Sequence, residues 1–337
     1  MKHLIALFCL MPFVALSQIT DPLEYMEKIS KDQDGISKDM WAYTRAASKG
    51  RNARKLDKKR QELIRTYYLA KNRVTQMPAF KKDPSYKAAM AQFYNLSQTI
   101  LKREYGKIMD LEAIAEDSYD LMEAYLRTKE LADLKLDSAF VNLKTAQKDF
   151  ADKHNIKLIE GTSRIGNKLR RANEVNGYTN DCYLVFFKTQ HQEGYMLKAM
   201  ESNKVGEIEQ SRLKLAEYAN QGKVRLKEIG AFESDFSLAK AVDNMLNFYL
   251  SESNRIEKLM DFYFLKEDME RSNSYIQSKK QSQLTNEDID KHNSLINKYN
   301  ASVNNFNNET QVMNDLRAKN IEKYQKVNDT FDKMYMP

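Results

Sequence analysis

The chain has 337 residues, is 42% hydrophobic and 30% charged, and carries a formal net charge of +7 at pH 7. A chain of this length can bury a hydrophobic core, as one large domain or as two. Its ten glycines and five prolines are too few for a typical sandwich or barrel, in which turn residues recur about every 8–12 residues. We therefore predict an all-α fold, an elongated bundle of long antiparallel helices.

Residues 1–17 have the features of a secretory signal peptide. A short positive start precedes the apolar residues 4–16, and Ala15-Leu16-Ser17 places small residues at positions −3 and −1 of a cleavage site after Ser17. The apolar run is too short to span a membrane, and no later stretch is as long as a membrane span. We expect an exported protein, located in the periplasm, on the cell surface or outside the cell.

Capping residues mark several predicted helices, and Asp21-Pro22 and Thr285-Asn286-Glu287-Asp288 are typical N-termini. The predicted helices lie at residues 22–48, 52–76, 84–104, 107–156, 164–204, 207–228, 237–275 and 286–335. The segment from Ser272 to Gln283 is predicted to be a loop, and no internal repeat is evident. We predict a single bundle domain over residues 18–337, with a subdivision near residue 205 as the alternative.

The predicted helix at 52–76 has an apolar stripe and a cationic face. The candidate site for an anionic partner on this face consists of Arg54, Lys55, Lys58, Lys59, Arg60 and Arg65. Nucleic acid would suit such a face through phosphate contacts. An exported protein rarely meets nucleic acid, however, so lipid head groups or a glycan of the envelope are better candidates.

A structural role for the same charges is the preferred interpretation. Residues 110–123 contain six carboxylates and no Lys or Arg, and an acidic helix can pair with a basic helix in one bundle. Whether helix 52–76 pairs internally with residues 110–123 or binds an external partner stays open. Four of the carboxylates share one helical face, but the Glu-x-x-His pairs of di-iron bundles are absent from the sequence. We predict no metal and no cofactor.

Two near-matches to catalytic motifs do not meet the geometry that they need. In the Gly-rich segment 161–169, Asn167 separates the second Gly from Lys168, whereas a P-loop needs Lys directly after that Gly. Cys182 and His191 are nine residues apart, which places them on opposite faces of one helix, separated by about 13.5 Å along its axis. Neither nucleotide binding nor a local Cys–His dyad is predicted, and we expect the protein not to be an enzyme.

The apolar run Tyr183–Phe187 admits two interpretations. Its β-propensity is high, as in a strand, but the preceding residues show a helical pattern and no partner strand follows. As a helix, it has one face with Cys182, Val185 and Phe186 and another with Leu184 and Phe187. Because apolar residues surround it on nearly all sides, we predict a central, buried helix.

The last predicted helix carries an apolar seam of bundle type with an asparagine series beside it. The seam consists of Ile296, Tyr299, Val303, Phe306, Thr310, Met313, Tyr324, Val327, Phe331 and Met334. The asparagines are Asn293, Asn297, Asn300, Asn304 and Asn307. A polar flank of the seam is the preferred interpretation, and a carbohydrate- or peptide-binding ladder is the alternative.

Several strings also carry a resemblance: Tyr25-Met26, Trp41-x-Tyr43, the residues 116–125, the run Tyr183–Lys188 and Met336-Pro337. In these strings the chain resembles a family of signal-peptide-bearing helical surface proteins of Gram-negative bacteria and spirochaetes. That family has no assigned function. The resemblance covers nearly the whole mature chain, implies an envelope or surface location, and brings no catalytic residues.

These features predict a non-enzymatic, exported helical bundle with a structural, adhesive or interaction role at the cell envelope. Its partner would be a protein or an anionic envelope component. The alternative is a ligand-binding helical protein whose pocket is lined by some of the 19 tyrosines and takes a small molecule or a glycan.

Overall fold

The computed structural model describes residues 19–48, 53–112, 114–158 and 164–337, and the chain is all-α, as predicted. In these ranges there is no strand. The α-helices are α1 (Pro22–Ser30), α2 (Gln33–Ser48), α3 (Ala53–Gln76), α4 (Ser85–Glu112), α5 (Tyr119–Lys153), α6 (Arg164–Glu201), α7 (Val205–Ile229), α8 (Ser237–Ser278) and α9 (Asn286–Tyr335), and the short 3-10 helices are Ala115–Asp117 and Gln281–Gln283. The predicted signal peptide, residues 1–17, lies outside the described residues.

Three predicted boundaries are wrong. The helix expected at 22–48 is interrupted after Ser30, and α8 extends to Ser278 through most of the segment expected to be a loop. The break expected beside Gly106 is absent, because α4 continues to Glu112. A Cβ atom at position 106 would lie 3.8 Å from the Arg60 guanidinium, so this glycine sits at a packing contact rather than in a turn.

The described helices belong to two compact units. The first unit takes in residues up to 109 and 129–167, and the second takes in 110–128 and 168–337. In the second unit, α7 contacts α8 and α8 contacts α9. Residue 205, the position of the predicted subdivision, is the first residue of α7 and lies inside the second unit.

Helix α6 is buried on two faces, as the sequence predicts. Its residues Cys182, Val185 and Phe186 belong to the large core cluster that α6, α7, α8 and α9 share. Leu184 and Phe187 belong to a second cluster, packed against Ala115, Met122 and Leu126. The run Tyr183–Phe187 is therefore a helical core segment, and the strand interpretation is wrong.

The same turn occurs once in each unit. Residues 79–85 and 231–237 both have the sequence Ala-Phe-x-x-Asp-x-Ser. In each, the Asp N–H donates to the Phe carbonyl, at 2.7 and 2.8 Å respectively, and the two residues between them have positive φ angles from 44 to 72°. The Asp side chain then caps the following helix by accepting a hydrogen bond from the Ser N–H, at 3.0 and 2.7 Å.

The same cluster of four rings packs on each turn. Its members are Tyr25, Phe80, Phe150 and His154 in the first unit and Tyr178, Phe232, Phe331 and Tyr335 in the second. The ring centroids of Tyr25 and Phe80 lie 5.2 Å apart, and those of Tyr178 and Phe232 lie 5.3 Å apart. The distance is 5.6 Å both for Phe80–Phe150 and for Phe232–Phe331. It is 5.8 Å for Tyr25–Phe150 and 5.5 Å for Tyr178–Phe331. The leading Tyr hydroxyl donates to the carbonyl two residues before the Phe, at 2.9 and 3.1 Å.

Polar contacts between helices repeat as well. The shift of 152 residues that relates Phe80 to Phe232 also relates the pair Lys71–Asn95 in the first unit to Lys223–Asn247 in the second. The ion pair Arg60–Asp57 corresponds to Arg212–Glu209 in the same way, and both arginines are buried. The second unit is therefore a structural repeat of the first. The expectation of no internal repeat is wrong.

The hairpin of α4 and α5 is shorter than the corresponding hairpin of α8 and α9. Helix α8 has 42 residues against 28 in α4, and α9 has 50 residues against 35 in α5. Helix α4 corresponds to α8 with a shift of 152 residues, and α5 corresponds to α9 with a shift of 181 residues. Residues 265–299 of the second hairpin therefore take the place of residues 113–118 of the first. We call residues 265–299 the arm.

Loss of the central ring should destabilise each unit by a different amount. Phe80 is 1% exposed, whereas Phe232 is half-buried. We expect Phe80→Ala to lower the free energy of unfolding by about 4 kcal/mol and Phe232→Ala by about 3 kcal/mol. Urea denaturation followed by circular dichroism measures both changes. The control is Phe236→Ala, which removes a 60% exposed ring. Equal effects of all three substitutions would contradict the proposed importance of the ring clusters.

Candidate functional site

The cationic face predicted on α3 is divided by the fold. Arg54, Lys55, Lys58 and Arg65 are exposed and Lys59 is half-buried. Arg60, in contrast, is 9% exposed, and its guanidinium donates to the Asp57 carboxylate at 2.7 Å and to the Leu101 carbonyl at 3.0 Å. Arg60 therefore holds α3 against α4, and five of the six predicted residues have side chains that reach solvent.

The ion pairs of α3 include Arg60–Asp57 and Arg73–Asp32, the latter at 2.5 Å. Both lie within the first unit, whereas residues 110–123, the acidic stretch expected to pair with α3, are grouped with the second. The pairing of helix 52–76 with residues 110–123 stays a prediction.

The thiol and the imidazole of α6 are in different environments. Cys182 is fully buried in the core, and burial raises the pKa of its thiol to about 12. His191 is half-buried, stacks on Phe187 with centroids 5.7 Å apart, and has its Nε2 3.1 Å from the Tyr195 hydroxyl. A thiol held in its protonated form is a poor nucleophile, so this arrangement does not suit cysteine catalysis.

A buried cluster of charged groups lies in the core of the second unit. The Arg317 guanidinium, on α9, donates through Nε to Glu193 Oε1 at 2.5 Å and through Nη2 to Glu252 Oε1. Glu193 on α6 is 4% exposed and Glu252 on α8 is 1% exposed. The second carboxylate oxygen of Glu252 has no hydrogen-bond partner among the described residues. Two acids thus share one base away from water.

Burial controls the protonation of this cluster. The pKa of Glu252 is raised to about 8, and burial is the largest cause. The neighbouring charge of Glu193 also raises this pKa, by more than the charge of Arg317 lowers it. Although burial lowers the pKa of Arg317, the two carboxylates raise it on balance. The pKa of Tyr249 is also raised well above its usual value, by burial and then by the two carboxylates. The neutral form of the cluster, with one proton on the two acids, is therefore favoured.

The first unit has no such cluster at the equivalent positions. The ring clusters relate Tyr25 to Tyr178, Phe80 to Phe232 and Phe150 to Phe331, which are shifts of 153, 152 and 181 residues. The same three shifts relate Met40 to Glu193, Ile100 to Glu252 and Leu136 to Arg317. Met40 and Ile100 are buried. The same bundle position is thus apolar in one unit and ionic in the other, so the fold itself does not require the charges.

Two open grooves run along the surface of α6. One, of about 510 Å³, lies between the end of α6 and the start of α7, and the other, of about 350 Å³, lies between α6 and residue Glu116. They share Tyr195 and Lys198. A ladder of rings one helical turn apart follows the second groove, formed by Tyr183, Phe187, His191 and Tyr195.

Other predicted features lie at the surface. The asparagines of the series beside the α9 seam are all exposed, which agrees with a polar flank.

Over the described residues, no group of three or more His, Cys, Asp or Glu is arranged to hold a metal ion. No helix in those ranges combines the length and apolarity that a membrane crossing needs.

No protein-family model, no curated protein and no solved structure matches the chain. Sequence reasoning missed the charge cluster because Glu193, Glu252 and Arg317 are far apart along the chain. The signal available was one charged residue within an otherwise apolar face of each helix.

The second unit should lose stability as the pH rises from about 5 to about 8. The raised pKa of Glu252 means that the folded state keeps a proton that the unfolded chain releases, so stability is complete below the ordinary carboxyl pKa and is lost through the folded-state pKa. We expect a loss of about 2–4 kcal/mol, since one pKa unit corresponds to about 1.4 kcal/mol. Urea denaturation across this pH range measures it. Glu252→Gln, which cannot titrate, should lack this part of the decline, and identical pH profiles for the two proteins would contradict it.

Replacing the cluster by its apolar counterparts should cost little, whereas breaking it should cost much. Arg317→Leu alone leaves two buried acids without their base, and we expect a loss of about 3–5 kcal/mol at pH 7. The triple variant Glu193→Met, Glu252→Ile and Arg317→Leu carries the residues of the first unit. We expect its free energy of unfolding to be within about 1 kcal/mol of the original or higher. A triple variant as unstable as the single one would refute the equivalence of these positions.

Proposed function

We propose that the protein is exported to the bacterial cell envelope or surface and acts there through contacts with other macromolecules, rather than by catalysis. The arm is the observation that carries this proposal. The signal-peptide pattern of residues 1–17 supports export. The resemblance to helical surface proteins supports the same location.

The arm is an addition that the repeated unit does not need for its core. The hairpin of α4 and α5 joins the same turn and the same ring cluster with only residues 113–118 in place of the arm. None of residues 265–299 is buried, although nine of them are large and apolar. Tyr275 is 46% exposed and Ile289 is 43% exposed. The other seven are half-buried, so the arm carries large apolar side chains that the fold does not fully bury, which favours a contact surface.

The placement of the two buried acids supports a non-catalytic role. Catalytic acids and bases must reach a substrate, but Glu193 and Glu252 are enclosed between helices with almost no exposure. The raised pKa of Glu252 is explained by its burial beside the charge of Glu193. This cluster therefore acts on the stability of the second unit.

The grooves of α6 favour a second candidate function, binding of a small molecule or a glycan. Tyrosine rings can pack against the apolar faces of sugars or other ligands, and the ring ladder that ends at Tyr195 lines an open groove beside Lys198. An anionic envelope component is a further partner class for the exposed cations of α3, namely Arg54, Lys55, Lys58, Lys59 and Arg65. Arg60 does not contribute to that surface.

Photo-crosslinking in intact cells tests the proposed function. A photoreactive amino acid placed at Tyr275 or Ile289 should give adducts with envelope components. The matched control places it at Val224 or Leu213 of α7, which are 59% and 54% exposed but lie outside the arm, and we expect few adducts there.

The outcomes of this experiment separate the alternatives. Adducts confined to cytoplasmic proteins would refute the export on which the proposal depends. A further probe placed at Tyr195 that gave adducts while the arm probes gave none would favour the ligand-binding groove. Equal crosslinking at the arm and at α7 would show that the arm has no special role.

A further inference from the structure

We infer that the arm pairs with the arm of a second copy of this chain, and that the two hairpins form an antiparallel four-helix bundle. This inference depends on the proposed function, in which the arm is a contact element, and it names the partner.

The apolar seam of the arm is only half covered. In the body of the second unit, α8 and α9 are covered by α6 and α7, and α8 residues such as Tyr249 and Ile256 are fully buried. Arg212, near the start of α7, contacts Glu257 at 3.4 Å, so α7 begins beside the last body turns of α8. Residues 265–299 continue beyond this cover, and Leu265, Met269 and Ile296 are each half-buried.

A second hairpin would restore the cover that the arm lacks. Two antiparallel hairpins that join their apolar faces produce the four-helix arrangement that the body of the unit already has. Two identical hairpins do so through an isologous interface with a two-fold axis. The apolar stripe on one arm is then buried by the same stripe on the other.

The charges of the arm favour another arm over an anionic partner. Six basic residues balance six acidic ones, so the arm has no net charge at pH 7. The basic residues are Lys266, Arg271, Lys279, Lys280, Lys291 and Lys298, and the acidic residues are Glu267, Asp268, Glu270, Glu287, Asp288 and Asp290. Nucleic acids and anionic lipids attract surfaces of positive net charge. A neutral arm approaches a copy of itself without net repulsion.

Charge is also separated along each helix of the arm. Near the body, residues 265–271 carry three acids against Lys266 and Arg271, a net charge of −1. Two bases, Lys279 and Lys280, directly follow the end of α8 at Ser278. When α8 of one copy lies antiparallel to α8 of the other, the acidic segment of each faces the basic segment of its partner. A parallel arrangement would place like charges together, which is unfavourable.

The α9 part shows the reverse order with the same centre. Its first turns, residues 286–291, carry three acids against Lys291, a net charge of −2, and Lys298 lies near the body. The charge pattern of α8 is centred near residue 273 and that of α9 near residue 293. The hydrogen bond between Ser272 Oγ and His292 Nδ1, 3.0 Å long, places these two centres at the same level of the hairpin. One two-fold axis at this level therefore matches opposite charges along both helices.

The size of the surface sets the strength expected. Fourteen helical residues span about 21 Å, and a face two helices wide is about 20–22 Å across, so the pair buries roughly 900 Å² in total. This is near the lower limit for a specific interface. We expect a reversible dimer that forms at concentrations of about 10–100 µM, equivalent to a free energy of association of about −5 to −7 kcal/mol.

Sedimentation equilibrium of the purified full chain, from about 5 to about 500 µM, tests the inference through charge exchange. Variant A carries Lys279→Glu and Lys280→Glu, and variant B carries Glu267→Lys and Glu270→Lys. Each variant alone places like charges together and should dimerise at least tenfold more weakly. An equimolar mixture of A and B should recover dimer formation, because both contacts of the antiparallel pair again join opposite charges.

Two further variants separate the arm from other surfaces. Lys323→Glu with Lys326→Glu makes the same change of net charge on exposed positions of α9 outside the arm, and it should dimerise like the original. Replacing residues 265–299 by residues 113–118 gives the second hairpin the short connection of the first and should abolish the dimer. Circular dichroism of each variant checks that it is folded.

Each remaining outcome overturns the inference. A chain that is monomeric over the whole range, or a dimer that survives in variants A and B, excludes pairing of the arms. Failure of the mixture to recover dimers excludes the antiparallel geometry. A monomeric chain whose arm still crosslinks to other envelope components in cells would refute this inference and leave the proposed function standing. Loss of both results would refute both.

Discussion

The packing of one phenylalanine on a left-handed turn organises each unit. Two residues with positive φ turn the chain back on itself, the Asp that follows caps the next helix, and the Phe ring is directed into a group of three other rings. A Lys or Glu at a positive φ is unfavourable, and the ring cluster offsets this cost by burying apolar surface. Because the turn sets where two helices meet, the contacts of the bundle depend on it.

The repeat makes it possible to separate what the bundle needs from what has been added to it. Positions such as Leu63 and Leu215, which are equivalent and fully buried, serve the core in both units. Glu193, Glu252 and Arg317 occupy positions that are apolar in the first unit. Buried ionic groups commonly contribute less to stability than apolar residues of similar size. Their presence in one unit only adds to that unit a pH-dependent contribution to stability, which the apolar residues at the equivalent positions cannot make.

Composition and helical periodicity were sufficient to predict the fold class and the two buried faces of α6. The low number of glycines and prolines predicts long helices. The apolar residues on nearly all sides of the run Tyr183–Phe187 predict that this run is buried on more than one face. The repeat was not predictable in this way, because a buried position constrains size and polarity rather than identity. Tyr67 is equivalent to Ala219 and Tyr94 to Leu246, and all four are buried, so equivalent positions differ in sequence while they keep the same neighbours.

The cationic face and the arm show the same limit for surface features. Charge counting placed Arg60 with its exposed neighbours, but its role depends on the Leu101 carbonyl, 41 residues away, which no local pattern reveals. The arm has an apolar periodicity like that of the body, and its seam continues that of α9. Burial distinguishes the two, because in the body two additional helices cover the seam and along the arm they do not. The same sequence pattern therefore describes a completed core in one place and an incomplete one in the other, and the incomplete one is where a partner gains the most by binding.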